Sequence, residues 1–526
     1  KSQTLALSGI KLSQFYGIEL DDFAHEIAKL SLWLAEHQMN VHFFKEFGRT
    51  NPPLPLKDAG NITHGNACRV NWETVCPKNE DDEIYILGNP PYQGKGKQSL
   101  EQKKDMAFVF DSFTKYKSLD FIACWFFLAG KYITCSNSKS AFVTTNSISQ
   151  GQQVSLLWPF VINNFIEIGF AHKSFLWTNN AKREAKVIVS IISLRNRNSQ
   201  PKYIFSNNRK QLVQNINSYL LNSKDIYINS RMKQLSHHLP CMVSGSKPND
   251  DGNLMLSKEE KDELIRLAPK SRTLLRKVLG SAEFIRQVDR YCLWIDEDNK
   301  ELAMSITLIK ERLNATRAHR LRSKNKAAHI SANTPYKFYS ISYKEAKSII
   351  IPSVSSERRK YVPIGFIEKD VIVTNLAFVI YEAEPYLLSI LSSRIHISWM
   401  KAVSGKMKMD YRYSSVLVYN TFPFPPISTQ RKDELTQTAF RILEEREKHP
   451  EKTLAQLYDP NKMPKGLKEA HKQNDLAVEK CYRSTPFSSD EDRLEYLFNL
   501  YEKMIAEEQA VGTLFAIEKK SRKKKK

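Results

Sequence analysis

From residue 14 to residue 195, apolar runs of strand length alternate with helical periodicity, the pattern of a mostly parallel sheet covered by helices. Gln14 to Leu20 reads as the first strand and ends on Glu19. Asp21 or Asp22 then caps a helix in which Phe23, Ile27, Leu30 and Leu34 recur at spacings of three and four. An irregular loop holds Asn51-Pro-Pro-Leu-Pro-Leu56, and a short strand with its turn covers Asn61 to Trp72, with Gly65-Asn66 inside it. The next apolar run, Ile84 to Leu87, is short enough to be one buried strand and stops at Gly88. Ser118 to Tyr132 reads as a helix, Ser140 to Thr145 as a strand and the region from Gln150 to Trp158 as another helix. Phe165 to Phe170 and Ala185 to Leu194 complete the set of strands, and Ala171 to Trp177 between them reads as a turn with exposed aromatics.

Beyond residue 200 the alternation breaks down, and Phe422-Pro-Phe-Pro-Pro426 marks a domain edge. Residues 429 to 510 return to helical periodicity, with Leu435, Phe440 and Leu443 on one stripe and Leu494, Leu497, Phe498, Tyr501 and Ile505 on another; both read as packing faces. Ser257-Lys-Glu-Glu260 has the form of a capping box. That explains it better than a nuclease-like set of Asp250, Glu259 and Lys261. The tail from Lys519 to Lys526 is a like-charge block expected to be disordered.

Composition adds a partner to this outline. A chain of 526 residues is too long for one core, so two or three domains are expected, and an excess of 79 Lys and Arg over 57 acidic residues favours a polyanion. The excess is concentrated at Lys310, Arg312, Arg317, Arg320, Arg322, Lys324 and Lys326, where Glu311 is the only opposing charge in the run and where phosphates would be held. Seven scattered cysteines form no Cys-x-x-Cys pair, which argues against a disulfide framework or a zinc site and for a reducing cytoplasm. No apolar window approaches the roughly 20 residues that span a bilayer, so membranes are not implied. The first residue is Lys1 rather than Met, which suggests that this chain is the later part of something larger.

The candidate chemistry lies after the Ile84 run, at Asn89-Pro90-Pro91-Tyr92. Two prolines stiffen the loop, and what it displays is an amide side chain, proline carbonyls and an aromatic ring. Acceptors beside a stacking surface suit a planar group that carries an amine. Gly94-Lys95-Gly96-Lys97 follows but lacks the spacing of a triphosphate-binding loop. Glu19, at the end of a strand, is placed to accept the hydroxyls of a nucleoside ribose.

Glu19, Asn66 and Asn89 to Tyr92, in that order on successive strand ends, resemble the motifs of amino-directed DNA methyltransferases that use S-adenosylmethionine. Phe15 to Ala24, Trp33 to Met39 and Ala141 to Gly151 resemble more closely the MmeI-like fused restriction-modification enzymes, a likeness covering nearly the whole chain. The resemblance implies an α/β chain. An incomplete Rossmann-like class I methyltransferase sheet (residues 1–199) would precede a mixed α+β target recognition domain (200–426), a helical region (427–515) and a basic tail (516–526). It implies methylation of adenine N6 in duplex DNA, with the base flipped from the stack. Asn89 and the carbonyl of Pro90 would accept from the amine, with Pro91 stiffening the loop and Tyr92 stacking on the base; Phe175 would cover its other face. Glu19 and Asn66 would hold the cofactor, Asn66 standing where such enzymes usually carry an Asp. In the recognition domain, Ser355, Ser356, Glu357, Arg358 and Arg359 would lie near base edges, with Lys406, Lys408 and Arg412 beside DNA. No metal is implied.

The family also implies a Gly-rich cofactor turn ahead of Glu19 and an N-terminal nuclease, neither of which this sequence displays. Its strand would lie between those ending at Glu19 and Asn89, so methylation is expected to need an upstream segment in cis or on a second polypeptide. N4-cytosine methylation, and a DNA-binding specificity module with an inert methyltransferase half, are the alternatives. Methylation of a protein glutamine amide uses a similar motif but leaves the long basic region without a role.

Overall fold

A computed structural model describes residues 10–48, 60–79, 82–111, 113–177, 187–407 and 409–523, the side chains of residue 407 and of 511–523 excepted. The loop Asn51 to Leu56, Lys408 and the end of the basic tail from Lys524 lie outside those residues. The chain divides into two compact units, residues 1–149 with 153–227, and residues 150–152 with 228–526.

In the first unit, β1 (Tyr16–Glu19) and β2 (Asn61–His64) pair in parallel with Glu19 opposite His64. The first strand is shorter than its apolar run because Leu12–Gln14 forms a 3-10 turn. Asp21 is the cap of the helix Asp22–Phe47: its carboxylate accepts from the amide of Ala24 at 2.9 Å. Phe23, Leu34, Met39, Phe44 and Phe47 of that helix remain exposed. A second sheet has the order β3 (Ile84–Gly88), β4 (Ser138–Thr145), β6 (Val187–Asn196), β5 (Ile166–Trp177), β7 (Lys202–Ser206), β8 (Arg209–Val213). Among the described residues no strand joins β1 to β3, so both present an unpaired edge.

The second sheet departs from the expected mostly parallel one. β3 pairs with β4, and β5 with β7, in parallel, but β6 lies antiparallel between β4 and β5, and β8 runs against β7. The cause is the length of β5. Ala171 to Trp177 is not a turn but the second half of that strand, with irregular register at Ile168/Ala171 and His172/Phe175. β5 thus ends too close in sequence to the start of β6 for a crossover to a parallel neighbour, which takes about a dozen residues or more. The expected helix over Ser118 to Tyr132 is split into a 3-10 turn, Thr114–Ser118, and a helix, Ala123–Ile133. Its buried residues, with Phe142 and Trp158, fill the core of the unit.

The second unit is built from short strands: β9 (Val243–Ser244), β10 (Met255–Ser257), β11 (Leu275–Leu279), β12 (Arg290–Leu293), β13 (Ser348–Pro352) and β14 (Val354–Ser355). They are followed by β15 (Gly365–Ile367), β16 (Ile372–Val373), β17 (Ala377–Tyr381), β18 (Gly405–Met407) and β19 (Asp410–Arg412). Three sheets result, ordered β10-β12-β11-β16, β15-β13-β17-β9 and β14-β19-β18. Ser257 caps the helix Lys258–Leu267 in the expected capping box with Glu260. The C-terminal helices belong to the same unit. Tyr361 donates to Asp475 at 2.6 Å, and the other oxygen of Asp475 accepts from the amide of Arg394 at 2.7 Å. Burial pushes the carboxyl of Asp475 up to about 6. On the helix Thr429–Glu447 the buried face is Leu435, Thr438, Ala439, Ile442 and Arg446, while Phe440 is exposed; the stripe is displaced from the expected one because Arg446 turns inward to Tyr458 and the carbonyl of Ile364.

The basic run on the helix Thr307–Leu321 is not the uniform phosphate-holding surface that its charge suggests. Arg320 is 0% exposed and donates to the carbonyls of Asn249, Ser331, Thr334, Pro248 and Lys337 at 2.7–3.1 Å. Arg312 pairs with Glu260 at 2.6 Å. Two of the seven cations are therefore structural, held by partners distant in sequence. Replacing Arg320 strands buried carbonyls, so Arg320→Met is expected to destabilise the chain by about 3–5 kcal/mol in denaturant unfolding, against about 0.5 kcal/mol or less for Arg317→Met on the exposed face.

Candidate active site and recognition surface

The Asn89 loop is set by its two neighbours in the sheet. Gly88 pairs with Phe142 of β4, and a side chain at 88 would meet that ring at 3.4 Å, so the chain leaves β3 close against the core. Pro90 is buried, Asn89 and Pro91 are exposed and Tyr92 is half-buried. The hydroxyl of Tyr92 donates to Oδ1 of Asn89. Burial raises the pKa of Tyr92. No donor among the described residues takes the carbonyl of Pro90. Two acceptor oxygens thus lie on adjacent residues, one unclaimed and one with a second lone pair free.

Sequence reasoning missed what fixes the loop downstream. The amide of Phe121 donates to the carbonyl of Gln93 at 3.0 Å, and Nε2 of the buried Gln98 donates to the carbonyls of Gln93 and Leu119 at 3.3 and 3.0 Å. Between them lies Asp120, whose carboxylate accepts from Ser147 at 2.6 Å and from the amide of Lys95. Burial raises its pKa, against those bonds. Asp120 follows a polar stretch and precedes an apolar one, so no local signal distinguishes it from a surface residue.

Glu19 and Asn66 stand at the ends of the paired strands β1 and β2. Glu19 Oε1 accepts from the amides of Leu20 and Asp21 at 2.9 and 3.3 Å, which leaves Oε2 directed elsewhere. Asn66 Oδ1 accepts from the amide of Cys68 at 2.9 Å, and its Nδ2 donates to Oδ2 of Asp105 at 2.8 Å. Asp105 is buried on the helix Leu100–Val109 that follows the Asn89 loop, and its other oxygen pairs with Nε of Arg69 at 2.7 Å. Asp105 therefore ties the turn after β2 to the segment carrying Asn89. Phe175 lies on β5, half-buried, with the ring of His172 edge-on at 4.5 Å.

In the second unit, the small sheet brings part of the predicted DNA-binding set together. Ser355 is opposite Tyr411, Lys406 is opposite Tyr411 on the other side, and Arg412 is opposite Val354 and Gly405. Glu357 pairs with Lys406 at 3.4 Å. Ser356 accepts the amide of Arg359 in a turn, and burial lowers the pKa of the Arg359 guanidinium. Arg358 and Arg412 are exposed. Ser355 is 4% exposed and its hydroxyl has no partner among the described residues. No group of three or more His, Cys, Asp and Glu among the described residues could hold a metal, and no described helix is long and apolar enough to cross a membrane.

An Asn-Pro-Pro-Tyr loop at a strand end of such a sheet is the arrangement of a methyltransferase domain, and residues 1–206 match the family model described as MmeI, DNA-methyltransferase domain. Residues 222–426 match the MmeI target recognition domain, and residues 427–508 the MmeI C-terminal domain. The solved structure of the Type IIL restriction-modification enzyme MmeI in complex with DNA superposes with a TM-score of 0.87 at 38% identity, over 94% of this chain and 67% of that one. The chain belongs to the MmeI family. It is also 46% identical over 502 residues to DNA methyltransferase A of Bacillus subtilis (strain 168), covering 95% of this chain and 57% of that relative. The chain thus spans little more than half the length of that curated relative.

Asp105→Ala leaves Asn66 and Arg69 without their shared acceptor. Because Arg69 is itself half-exposed, the expected loss is about 1–3 kcal/mol in thermal unfolding, with faster amide exchange confined to residues 66–70.

Proposed function

We propose that this chain carries the methyltransferase and target-recognition parts of a site-specific restriction-modification enzyme, transferring a methyl group to adenine N6 of a base flipped out of duplex DNA. The observation that carries the reading is the pair of acceptors at Asn89 Oδ1 and the Pro90 carbonyl, on a stiff strand-end loop of a family member. Two acceptors converging on one amine hold both N–H bonds and aim the nitrogen lone pair away from them, toward the methyl donor. Asn89 and the Pro90 carbonyl would thus leave that lone pair free to accept a methyl group, and the proton lost from the nitrogen would pass to water. S-adenosylmethionine supplies the activated methyl group when bound, so positioning does most of the remaining work.

The residues fit that donor. Glu19 has an oxygen directed away from its backbone partners, suited to ribose hydroxyls, and Asn66 is the candidate for the cofactor's adenine. Tyr92 must give up Asn89 when it turns its face to the target base, with Phe175 the candidate for the opposite face. Pro91 keeps the loop stiff. DNA contacts are assigned to the exposed Arg358 and Arg412, with Ser356, Glu357, Arg359 and Lys406 in the same group, and to Lys408, which lies outside the described residues; the buried Ser355 supports β14 from within.

A further polypeptide segment is part of the proposal. Among the described residues the edges of β1 and β3 are unpaired, Leu87 on β3 is 75% exposed and Phe23 beside β1 is 75% exposed, an apolar surface that a strand with its flanking turn would cover. That segment, in cis or as a separate chain, would complete the cofactor pocket. The free cysteines support a reducing compartment, the cytoplasm.

Calorimetry of the isolated chain is expected to show no binding of S-adenosylmethionine, with binding appearing once the segment is restored; micromolar binding by the chain alone would remove the need for the segment. With the segment present, labelled methyl groups should appear on N6-methyladenine and Asn89→Ala should reduce transfer by at least about 100-fold. Label on N4-methylcytosine would reassign the base. Duplex binding without any label would make the chain a specificity module.

A further inference from the structure

Lys401 lies near the end of the helix Arg394–Val403, half-buried, and forms no ion pair among the described residues. The carboxylate whose field favours it, Asp490, is already committed. Both oxygens of Asp490 accept from Arg394 at 2.7 Å, and Oδ1 also meets Arg493 at 3.3 Å and Ser398 at 3.1 Å. Arg394, Lys406 and Lys360 add repulsion to the burial that already lowers the pKa of Lys401. What Lys401 does have is a ring: its Nζ lies 5.8 Å from the centroid of Tyr411, and Nζ of Lys406 lies 4.8 Å from the same centroid. Lys406 has Glu357 at a loose 3.4 Å. Two ammonium groups are therefore gathered around one half-buried aromatic side chain, and of the two only Lys406 has an ion-pair partner among the described residues.

An ammonium withdrawn from water without a counter-charge destabilises the fold that holds it. That disadvantage is offset when an anion arrives. A compact ammonium is a point donor suited to a phosphate oxygen, whereas reading a base edge favours the planar fork of Arg or the amide of Asn. We propose that Lys401 and Lys406, held around Tyr411, clamp one backbone phosphate of the DNA, so that the clamp sets the register of β18 and β19 on the duplex without reading sequence. This rests on the reading of the chain as a DNA-binding enzyme, and it adds Lys401, a residue whose place on an apolar helix gave no hint of exposure to DNA.

The test uses the full chain, a pool of short random-sequence duplexes and two variants, Lys401→Met and Lys401→Arg. Without DNA, Lys401→Met is expected to melt at or above the wild-type temperature, because an uncompensated charge has gone. Its affinity for the pool should fall several-fold for every sequence, and the slope of log affinity against log salt should shrink by about one. Lys401→Arg should keep the slope. A Lys401→Met chain with unchanged affinity and slope overturns the clamp, as does a lower melting temperature with intact binding. A loss restricted to particular sequences also overturns it, since Lys401 would then read a base. A wild-type chain that binds no duplex at low salt overturns the DNA reading and the clamp together, which separates that failure from one confined to the variant.

Discussion

A carboxylate withdrawn from water needs donors around it, and Asp105 finds them in Asn66 and Arg69, on the turn after β2. The sheet β1-β2 and the sheet that begins at β3 share no ladder among the described residues. Asp105 supplies a side-chain link where the backbone has none. The helix that carries it follows directly on the Asn89 loop, so a group proposed to touch the cofactor and the groups proposed to touch the base are referred to one buried charge. The same loop is fastened on its far side by Gln98 and Asp120. The loop proposed to hold the amine is thus fastened at both ends.

The local features of this arrangement were legible in the sequence. Two prolines after Gly88 stop a strand wherever it lies, Asp21 caps the helix next to it, and Ser257 with Glu260 closes a box within one turn. Features that depend on distant partners were not. Ala171 to Trp177 resembles a turn by composition, and only its pairing with Val187 to Ile192 makes it a strand. Arg312 and Arg320 resemble their neighbours on a basic helix until Glu260 and the carbonyls from Pro248 to Lys337 come into place around them. Phe440 was assigned to a buried stripe by spacing, and the inward turn of Arg446 shifts that stripe. Asp105 and Asp120 carry no local mark at all.

The two units handle polar groups differently. In the first, the acceptors of the exposed Asn89 and the buried Pro90 lie side by side on a loop that two prolines stiffen. In the second, the polar interior is dense: Tyr361 and the amide of Arg394 both donate to Asp475, and Ser389, Thr438 and Asn474 form a second buried set. Such networks tie short strands and C-terminal helices into one body, in a unit whose described strands are no longer than five residues.

The burial of Arg320 has a consequence for how the chain can change over time. Its guanidinium ties the segments around Pro248 and Ser331 to Lys337 from inside the helix Thr307–Leu321. The outer face of that helix is thereby relieved of any part in holding the fold. Lys310, Arg317 and Arg322, all exposed, can be exchanged for other residues at little structural penalty. One immobile cation underneath makes the helix a permissive surface, on which a lineage can adjust its attraction for a polyanion by single substitutions while the scaffold stays as it is.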